Sequence, residues 1–224
     1  MAITHIASAT AAGGNASATT GSVDSTGADL AVISVGTFFG SWSFSDSKGN
    51  TYTALTNYTS GLFNQQQAYC LNPTVGSGHT FTVGNSADVQ PGVGASVFAG
   101  VDSYDSETGT SASANTTTTG SITPPEDGCL LTTGFMNDGG SSWSVGSSFT
   151  LAGSINANPG TNQGAAWGYK IQTTAGAENP TWTSNGNNNC RASIAVFLPA
   201  AGGGGGGFID NTTPILRHIF GMAG

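Results

Sequence analysis

Few residues of this 224-residue chain are of types that do chemistry, and their spacing fits no catalytic or metal-binding motif. The chain contains three histidines and three cysteines: His5, His79 and His218, and Cys70, Cys129 and Cys190. No histidine lies in a GxSxG or HExxH motif, and no cysteine lies in a CxxC or CxxH spacing. We therefore expect structural histidines and buried free thiols, with no catalytic residue, no metal site and no cofactor.

The run VDSYDSETG contains a cluster of acidic residues, Asp102, Asp105 and Glu107. Two carboxylates on either side of a glycosidic bond are the machinery of a glycosidase. The polar tract SASANTTTTG follows directly, however, and carboxylates beside such a tract are usually solvated. We therefore interpret this cluster as part of an exposed loop, and we expect no hydrolytic activity.

A second polar run, DSKGN, places Asp46, Lys48 and Asn50 at alternate positions, as in some calcium loops. The cationic Lys48 argues against calcium at this site. The same run fits a tight hairpin turn with Gly49 or Asn50 at positive φ. We favour the turn.

Aromatic residues offer one further kind of site, because the faces of aromatic rings bind the C–H surfaces of sugars. Trp143, Trp167 and Trp182, together with Tyr169, could form such a platform or could belong to the core of the fold. Trp143 in GGSSWSVGS and Trp182 in NPTWTSN lie near loops. These two are therefore the candidates for glycan contact.

The composition excludes several classes of partner. Only 7% of the residues are charged, with four Lys and Arg and a formal net charge of −8, against about 25% charged in ordinary domains. Four cations cannot form a basic surface for nucleic acid or an anionic membrane. Ser, Thr, Gly and Asn make up 108 of the 224 residues, which disfavours long helices and is typical of proteins found outside cells.

The start of the chain, MAITHIASATAAGG, does not resemble an export signal. It lacks a cationic n-region and an apolar h-region, and no apolar run in the chain approaches the roughly 18 residues of a membrane-spanning helix. An extracellular composition without an export signal is explained if the protein is made in a host cytoplasm and released by lysis within a virion. We therefore expect a location in the virion.

Strand signals recur along residues 3–199 at the spacing of an antiparallel β-sandwich, about eleven strands in all. The runs AVISV and SIAVF are apolar at both parities, which predicts central strands covered on both faces. We found no repeat at a fixed period, and the likeness of GHTFTVG to SSFTLAG is too weak to establish a duplication. We predict one sandwich domain over residues 1–200, whose core contains Val32, Ile33, Val35, Leu130, Leu131, Ile194, Val196 and Phe197.

The composition changes at Ala201, where a polyglycine linker (201–207) precedes the segment FIDNTTPILRHIFGMAG (208–224). Six glycines span about 13 Å as a flexible coil. A short amphipathic helix beginning at Pro214 is too short to be stable alone, because isolated helices below about 12–15 residues are marginal. This segment is predicted to anchor the protein to a partner through Phe208, Ile209, Ile215, Leu216, Ile219, Phe220 and Met222; packing against the chain's own sandwich is the alternative.

The order of several phrases resembles a widespread group of tailed-phage structural proteins, often described as jelly-roll or concanavalin-A-like modules. The resemblance covers about residues 3–199. Its phrases are STGADLAVISV, SDSKGNTYTALTNY, AYCLNPTVGSGHTFTV, SVFAGV, TPPEDGCLLTTGF, WGYKIQTTAGAENPTW and ASIAVFLP. It implies a non-enzymatic, jelly-roll-like β-sandwich on the surface of a virion, and it carries no catalytic motif. The C-terminal segment lies outside the resemblance.

Two functions follow as expectations. The first is a capsid decoration or head-fibre protein, held by its C-terminal segment to the major capsid protein or another virion protein. The alternative is a carbohydrate-binding tail fibre or adhesin that contacts host-surface glycans. The position of the apolar segment at the C-terminus favours the first, because tail fibres resembling known ones usually attach by the N-terminus. Homo-oligomers are compatible with both.

Overall fold

The computed structural model describes residues 1–13, 16–38, 40–85, 90–146, 148–157, 163–187 and 189–201. Within these ranges the chain forms seventeen β-strands, all paired antiparallel, and no helix. The all-β, antiparallel prediction is therefore confirmed. Residues 202–207 of the predicted linker and the whole predicted anchoring segment, 208–224, lie outside the described residues.

The first half of the chain forms one larger and one smaller sheet. The larger sheet has the strand order β1-β9-β3-β7-β5, with β6 also paired to β7, and the smaller has the order β2-β8-β4. The strands are β1 (Thr4–Ala12), β2 (Ser17–Thr19), β3 (Leu30–Phe38), β4 (Trp42–Asp46), β5 (Thr53–Ala54), β6 (Tyr58–Ser60), β7 (Phe63–Leu71), β8 (Phe81–Asn85) and β9 (Gly92–Ala99).

The second half forms a second pair of sheets. Its larger sheet has the order β10-β17-β12-β15-β14, and its smaller sheet has the order β11-β16-β13. The strands are β10 (Val101–Ala112), β11 (Thr116–Thr118), β12 (Leu130–Asn137), β13 (Trp143–Val145), β14 (Thr150–Ile155), β15 (Gly164–Ile171), β16 (Thr181–Ser184) and β17 (Cys190–Pro199).

The two larger sheets face each other, and each smaller sheet covers the outer face of its own larger sheet. On β3, Ile33 and Val35 pack with Phe81 and Val83 of the first smaller sheet. The alternate residue Val32 packs in a cluster that includes residues of the second half. The apolar residues at both parities of AVISV and SIAVF predicted central strands that are covered on both faces. The structure confirms this, because the two parities of each strand pack in different clusters. All eight predicted core residues are buried, at 5% exposure or less.

The second half repeats the strand order of the first, except that β6 has no counterpart among its described strands. The order β1-β9-β3-β7-β5 of the first larger sheet corresponds, position by position, to the order β10-β17-β12-β15-β14 of the second. The smaller sheets correspond in the same way, with β2-β8-β4 matched by β11-β16-β13. The topology therefore repeats, although the sequence shows no repeat at a fixed period. The likeness of GHTFTVG to SSFTLAG did not indicate this repeat, because their strands, β8 and β14, occupy different places in it.

The start of the chain and the end of β17 meet at one end of the fold. The Met1 amino group donates a hydrogen bond to the Ala200 carbonyl (2.5 Å), and the Ala200 amide donates one to the Gly100 carbonyl (2.8 Å). We call this end, which also contains Gly128, the terminal pole. Strands β3 and β12 run away from it, and Phe38 and Asn137, where they finish, mark the distal pole.

Candidate functional site

The residues with the most chemistry form a buried cluster near the first smaller sheet. The Oγ atom of Ser25 lies 2.7 Å from Nδ1 of His79, and Nε2 of His79 lies 2.9 Å from Oδ2 of Asp46. Ser25 follows β2, Asp46 ends β4, and His79 precedes β8. Serine, histidine and carboxylate in this order are the residue types of a nucleophilic triad.

This cluster holds loops together and is closed to a substrate. Ser25 and the side chains of His79 and Asp46 are all 0% exposed. The Ser25 hydroxyl accepts a hydrogen bond from the Gly76 amide (3.0 Å) and donates one to the Gly76 carbonyl (3.2 Å). Because an acyl group cannot reach this oxygen, we interpret the contacts of the cluster as structural.

Asp46 organises the DSKGN turn around its carboxylate. Oδ1 accepts hydrogen bonds from the amides of Lys48 (2.9 Å) and Asn50 (3.1 Å). Oδ2 accepts from Nδ2 of Asn50 and from the hydroxyl of Tyr52, both at 2.8 Å. Burial by itself raises the pKa of Asp46, but hydrogen bonds from Asn50, His79 and Tyr52 outweigh it and lower the pKa to about 2.

These contacts settle the two interpretations of DSKGN in favour of a turn. Gly49 has φ of +80°, as predicted for a tight turn, and protein donors already surround the carboxylate oxygens that would bind calcium. The turn does not close a hairpin, because β4 pairs with β8 and β5 pairs with β7. Within the described ranges, no group of three or more His, Cys, Asp or Glu side chains is placed to hold a metal ion.

The acidic run at residues 102–107 lies in a strand, so its assignment to a loop is wrong. It belongs to β10, an edge strand that pairs with β17. Asp102 and Asp105 are exposed. Glu107 accepts hydrogen bonds from the amide (2.8 Å) and hydroxyl (2.7 Å) of Thr56. Glu107 therefore has a role in the contact between the two halves of the chain.

Trp182 is not a surface residue, and its selection as a glycan contact is wrong. It is 0% exposed, it stacks on Phe135 with ring centres 5.3 Å apart, and its indole N–H donates to Oγ1 of Thr133 (2.9 Å). The side chain points inward because alternate residues of β16 face the larger sheet. A strand of only four residues between polar turns looks like a loop in sequence.

Trp143 is half-buried near the distal pole. Its indole N–H donates to Oδ1 of Asn156 (3.1 Å), and the ring meets Phe135 edge to face, with centres 5.8 Å apart. A methyl group placed on Gly140 or Gly164 would lie 2.3 or 2.5 Å from this ring, so the indole rests directly on their backbone. The ring is therefore largely engaged in packing.

An open recess lies at the terminal pole. A groove of about 460 Å³ is lined by Met1, Ile3, Gly128, Ile171 and Pro199, among others. A second cavity, of only about 10 Å³, lies between the larger sheets beside Gln67 and Trp167. Neither is lined by Ser25, His79 or Asp46.

Comparisons with known proteins give no match: no family model, no curated protein and no solved structure is similar to this chain. The resemblance to tailed-phage structural proteins thus stays a prediction. Over the residues that the structure describes, no helix is long and apolar enough to span a membrane.

Proposed function

We propose that this protein is a non-enzymatic structural protein of a phage particle, a capsid decoration or head-fibre protein held by its C-terminal segment. We further propose that each half is a jelly roll. In a jelly roll, eight strands are divided between two antiparallel sheets with Greek-key connections. The alternation of β1, β2, β3 and β4 between the larger and the smaller sheet supports this reading, as does its repetition in β10 to β13.

The observation that carries the proposal is the position of Ala201, the last residue that the structure describes. Ala201 is exposed and directly follows Ala200, which is hydrogen-bonded to Met1 at the terminal pole. Everything after residue 201 therefore starts from one pole. An anchor attached there leaves the distal pole pointing away from the particle.

The chemistry of residues 208–224 provides the anchor. Seven large apolar side chains occur in these 17 residues, and burying each is worth about 1.5–3 kcal/mol before ordering costs. Exposed together, they would favour aggregation. A groove on a capsid or other virion protein would bury them, with the glycines 202–207 accommodating the geometry.

The carbohydrate-binding alternative gains no specific support from the described residues. Of the two tryptophans selected for it, Trp182 is buried and Trp143 directs its N–H to Asn156. Non-enzymatic function is supported by the inaccessibility of Ser25, the one serine placed beside a histidine and a carboxylate in the described part of the chain.

Particle assembly with a chain truncated after Ala201 tests the proposal. We expect the truncated protein to fold, with an unchanged circular dichroism spectrum, and to be missing from purified particles. A full-length chain with Ile215→Asp and Ile219→Asp is a second test variant, because it keeps the linker and replaces only two apolar side chains. It should also be missing from purified particles. Normal incorporation of the truncated protein would show that the anchor is elsewhere.

A further inference from the structure

The two halves of the chain match in register as well as in strand order. In the smaller sheets, Ala18 pairs with Val83 and Thr117 pairs with Trp182. Each partner in the second pair lies 99 residues after its counterpart in the first. The isolated bridge between Val23 and His79 recurs, at the same offset, between Ile122 and Glu178.

The larger sheets match in the same way. Leu30 pairs with Leu71 and Phe98, and Leu130 pairs with Ile171 and Phe197. One register shift also recurs, because β1 is irregular between His5 and Ala7 where β10 is irregular between Tyr104 and Ser106. One unit of about 100 residues therefore occurs twice in the chain.

The halves meet through equivalent contacts. His5 stacks on Tyr169 (4.7 Å between ring centres), and the counterpart of His5, Tyr104, stacks on the counterpart of Tyr169, Tyr69 (5.0 Å). Each pair joins one half to the other. The halves are thus related as the two subunits of a two-fold dimer, in which the same surface serves both partners.

Each half also has an apolar core of its own. One buried cluster draws only on residues 18–97, and two others draw only on residues 122–196 and 135–192. Between the halves there is one shared apolar cluster and a polar band, in which Gln67 donates to Ser193 (2.8 Å) and accepts from Thr132 (2.9 Å). This arrangement resembles an interface between two folded units more than the inside of one.

A single residue joins the halves. Strand β9 ends at Ala99 and β10 begins at Val101, so Gly100 carries the chain from one larger sheet to the other. Its φ is +79°, a conformation that glycine adopts freely and a β-branched residue does not. A Cβ atom at this position would lie 2.5 Å from the Ala2 carbonyl oxygen.

We propose that the half-to-half interface can also join two copies of this chain, by exchange of halves, when Gly100 is extended. In such a dimer, residues 1–99 of one copy pack on residues 101–201 of the other, and the contacts between the two larger sheets are kept, whereas those of the hinge itself, such as the hydrogen bond from the Ala200 amide to the Gly100 carbonyl, change. Closure within one chain is normally favoured over association of two copies, because two linked halves have an effective concentration of roughly 1 mM relative to each other. Short hinges under strain shift this balance toward exchange.

The substitution Gly100→Val tests this, because it makes the closed hinge unfavourable and leaves the interface intact. At about 0.1 mM, below the effective concentration of linked halves, light scattering after size exclusion should show a folded dimer for Gly100→Val and a monomer for the wild type. Gly27→Val is the matched control: Gly27 also has positive φ (+85°), but it lies within the first half and a Cβ there has open space. It should remain monomeric. A folded, monomeric Gly100→Val protein would overturn the proposal.

A complementation experiment gives a decision even if Gly100→Val does not fold. Ile33 and Ile194 are both 0% exposed. Ile33 lies in the apolar core of the first half, and Ile194 lies in an apolar core of the second half. Full-length Ile33→Asp and Ile194→Asp chains should each lose the near-ultraviolet circular dichroism signal. When unfolded and refolded together, they should regain about half of the wild-type signal in a species of dimer mass, because one intact half comes from each chain. A refolded mixture without a folded species of dimer mass, beyond any seen for the separate chains, would refute exchange.

Discussion

Replacing Asp46 by Asn should destabilise the protein strongly, although the change is isosteric. The side chain of Asp46 is 0% exposed. An amide group in place of Oδ2 would face two groups that donate to this oxygen, Nδ2 of Asn50 and the Tyr52 hydroxyl, and would lie beside Nε2 of His79. Asn50 cannot turn its amide round without losing its bonds to Thr74. A lost buried hydrogen bond to a charged group costs about 1.5–3 kcal/mol, so we expect a loss of about 2–4 kcal/mol at pH 7.

The effect should also depend on pH in a definite direction. The pKa of Asp46 is lowered from 3.8 to about 2 in the folded state, so ionisation of Asp46 contributes stability above about pH 4 that is lost as the pH falls toward 2. With an allowance for solvent screening, this contribution is about 1–2 kcal/mol, and roughly half of it is lost by pH 3. The difference in stability between wild type and Asp46→Asn should therefore shrink across this range.

Urea denaturation followed by tryptophan fluorescence, at several pH values between 7 and 2.5, measures both effects. Asp102→Asn is the control, because Asp102 is an exposed carboxylate on β10; it should change the free energy of unfolding by less than about 0.5 kcal/mol. If Asp46→Asn is as mild as this control at pH 7, or if its effect is the same at pH 6 and pH 3, the Asp46 network does not stabilise the turn as described.

Two further predictions concern the core. Gly94→Ala would place a Cβ atom 1.7 Å from Cε2 of Trp167, so thermal unfolding should show a loss of stability of about 2 kcal/mol or more from overpacking. Gly21→Ala is the control and should be nearly neutral, because the space around Gly21 is open. Equal melting temperatures for the two variants would contradict this prediction. Burial raises the pKa of the Cys70, Cys129 and Cys190 thiols, so the native protein should not react with a thiol reagent at pH 8. The urea-unfolded chain should react with three equivalents of the reagent. Rapid labelling of the native protein would contradict this prediction, because it would show that a thiol is accessible.

Much of the fold could be predicted from local patterns. AVISV and SIAVF are apolar at both parities, and a strand of that kind is stable only between two covering layers; the layers proved to be one larger and one smaller sheet. The DSKGN turn was predictable for a similar reason, because Gly49 provides the positive φ and Asp46 caps the backbone within four residues. Both features can be recognised from the types of residues that are neighbours in sequence.

The Ser25, His79 and Asp46 cluster was not predictable, because its members lie 21 to 54 residues apart and meet only when three loops converge. The burial of Trp182 was missed for a related reason: a strand of four residues shows too few alternations to reveal which face is covered. Their structural roles are decided by contacts between distant segments.

The repeat shows most clearly what was left to the tertiary structure. Equivalent positions hold Gln67 and Trp167, and Gly94 and Ser193, so the two sequences differ where the halves meet. Trp167 fits over Gly94, and Gln67 instead bonds to Ser193; a large residue in one half is matched by a small one in the other. The sequence alone determined strand parity, turns and the apolar C-terminal segment, because these depend on near neighbours. Only the tertiary structure decided which strands pair and that one unit occurs twice, because pairing requires complementary shapes across the interface and does not require similar residues at equivalent positions.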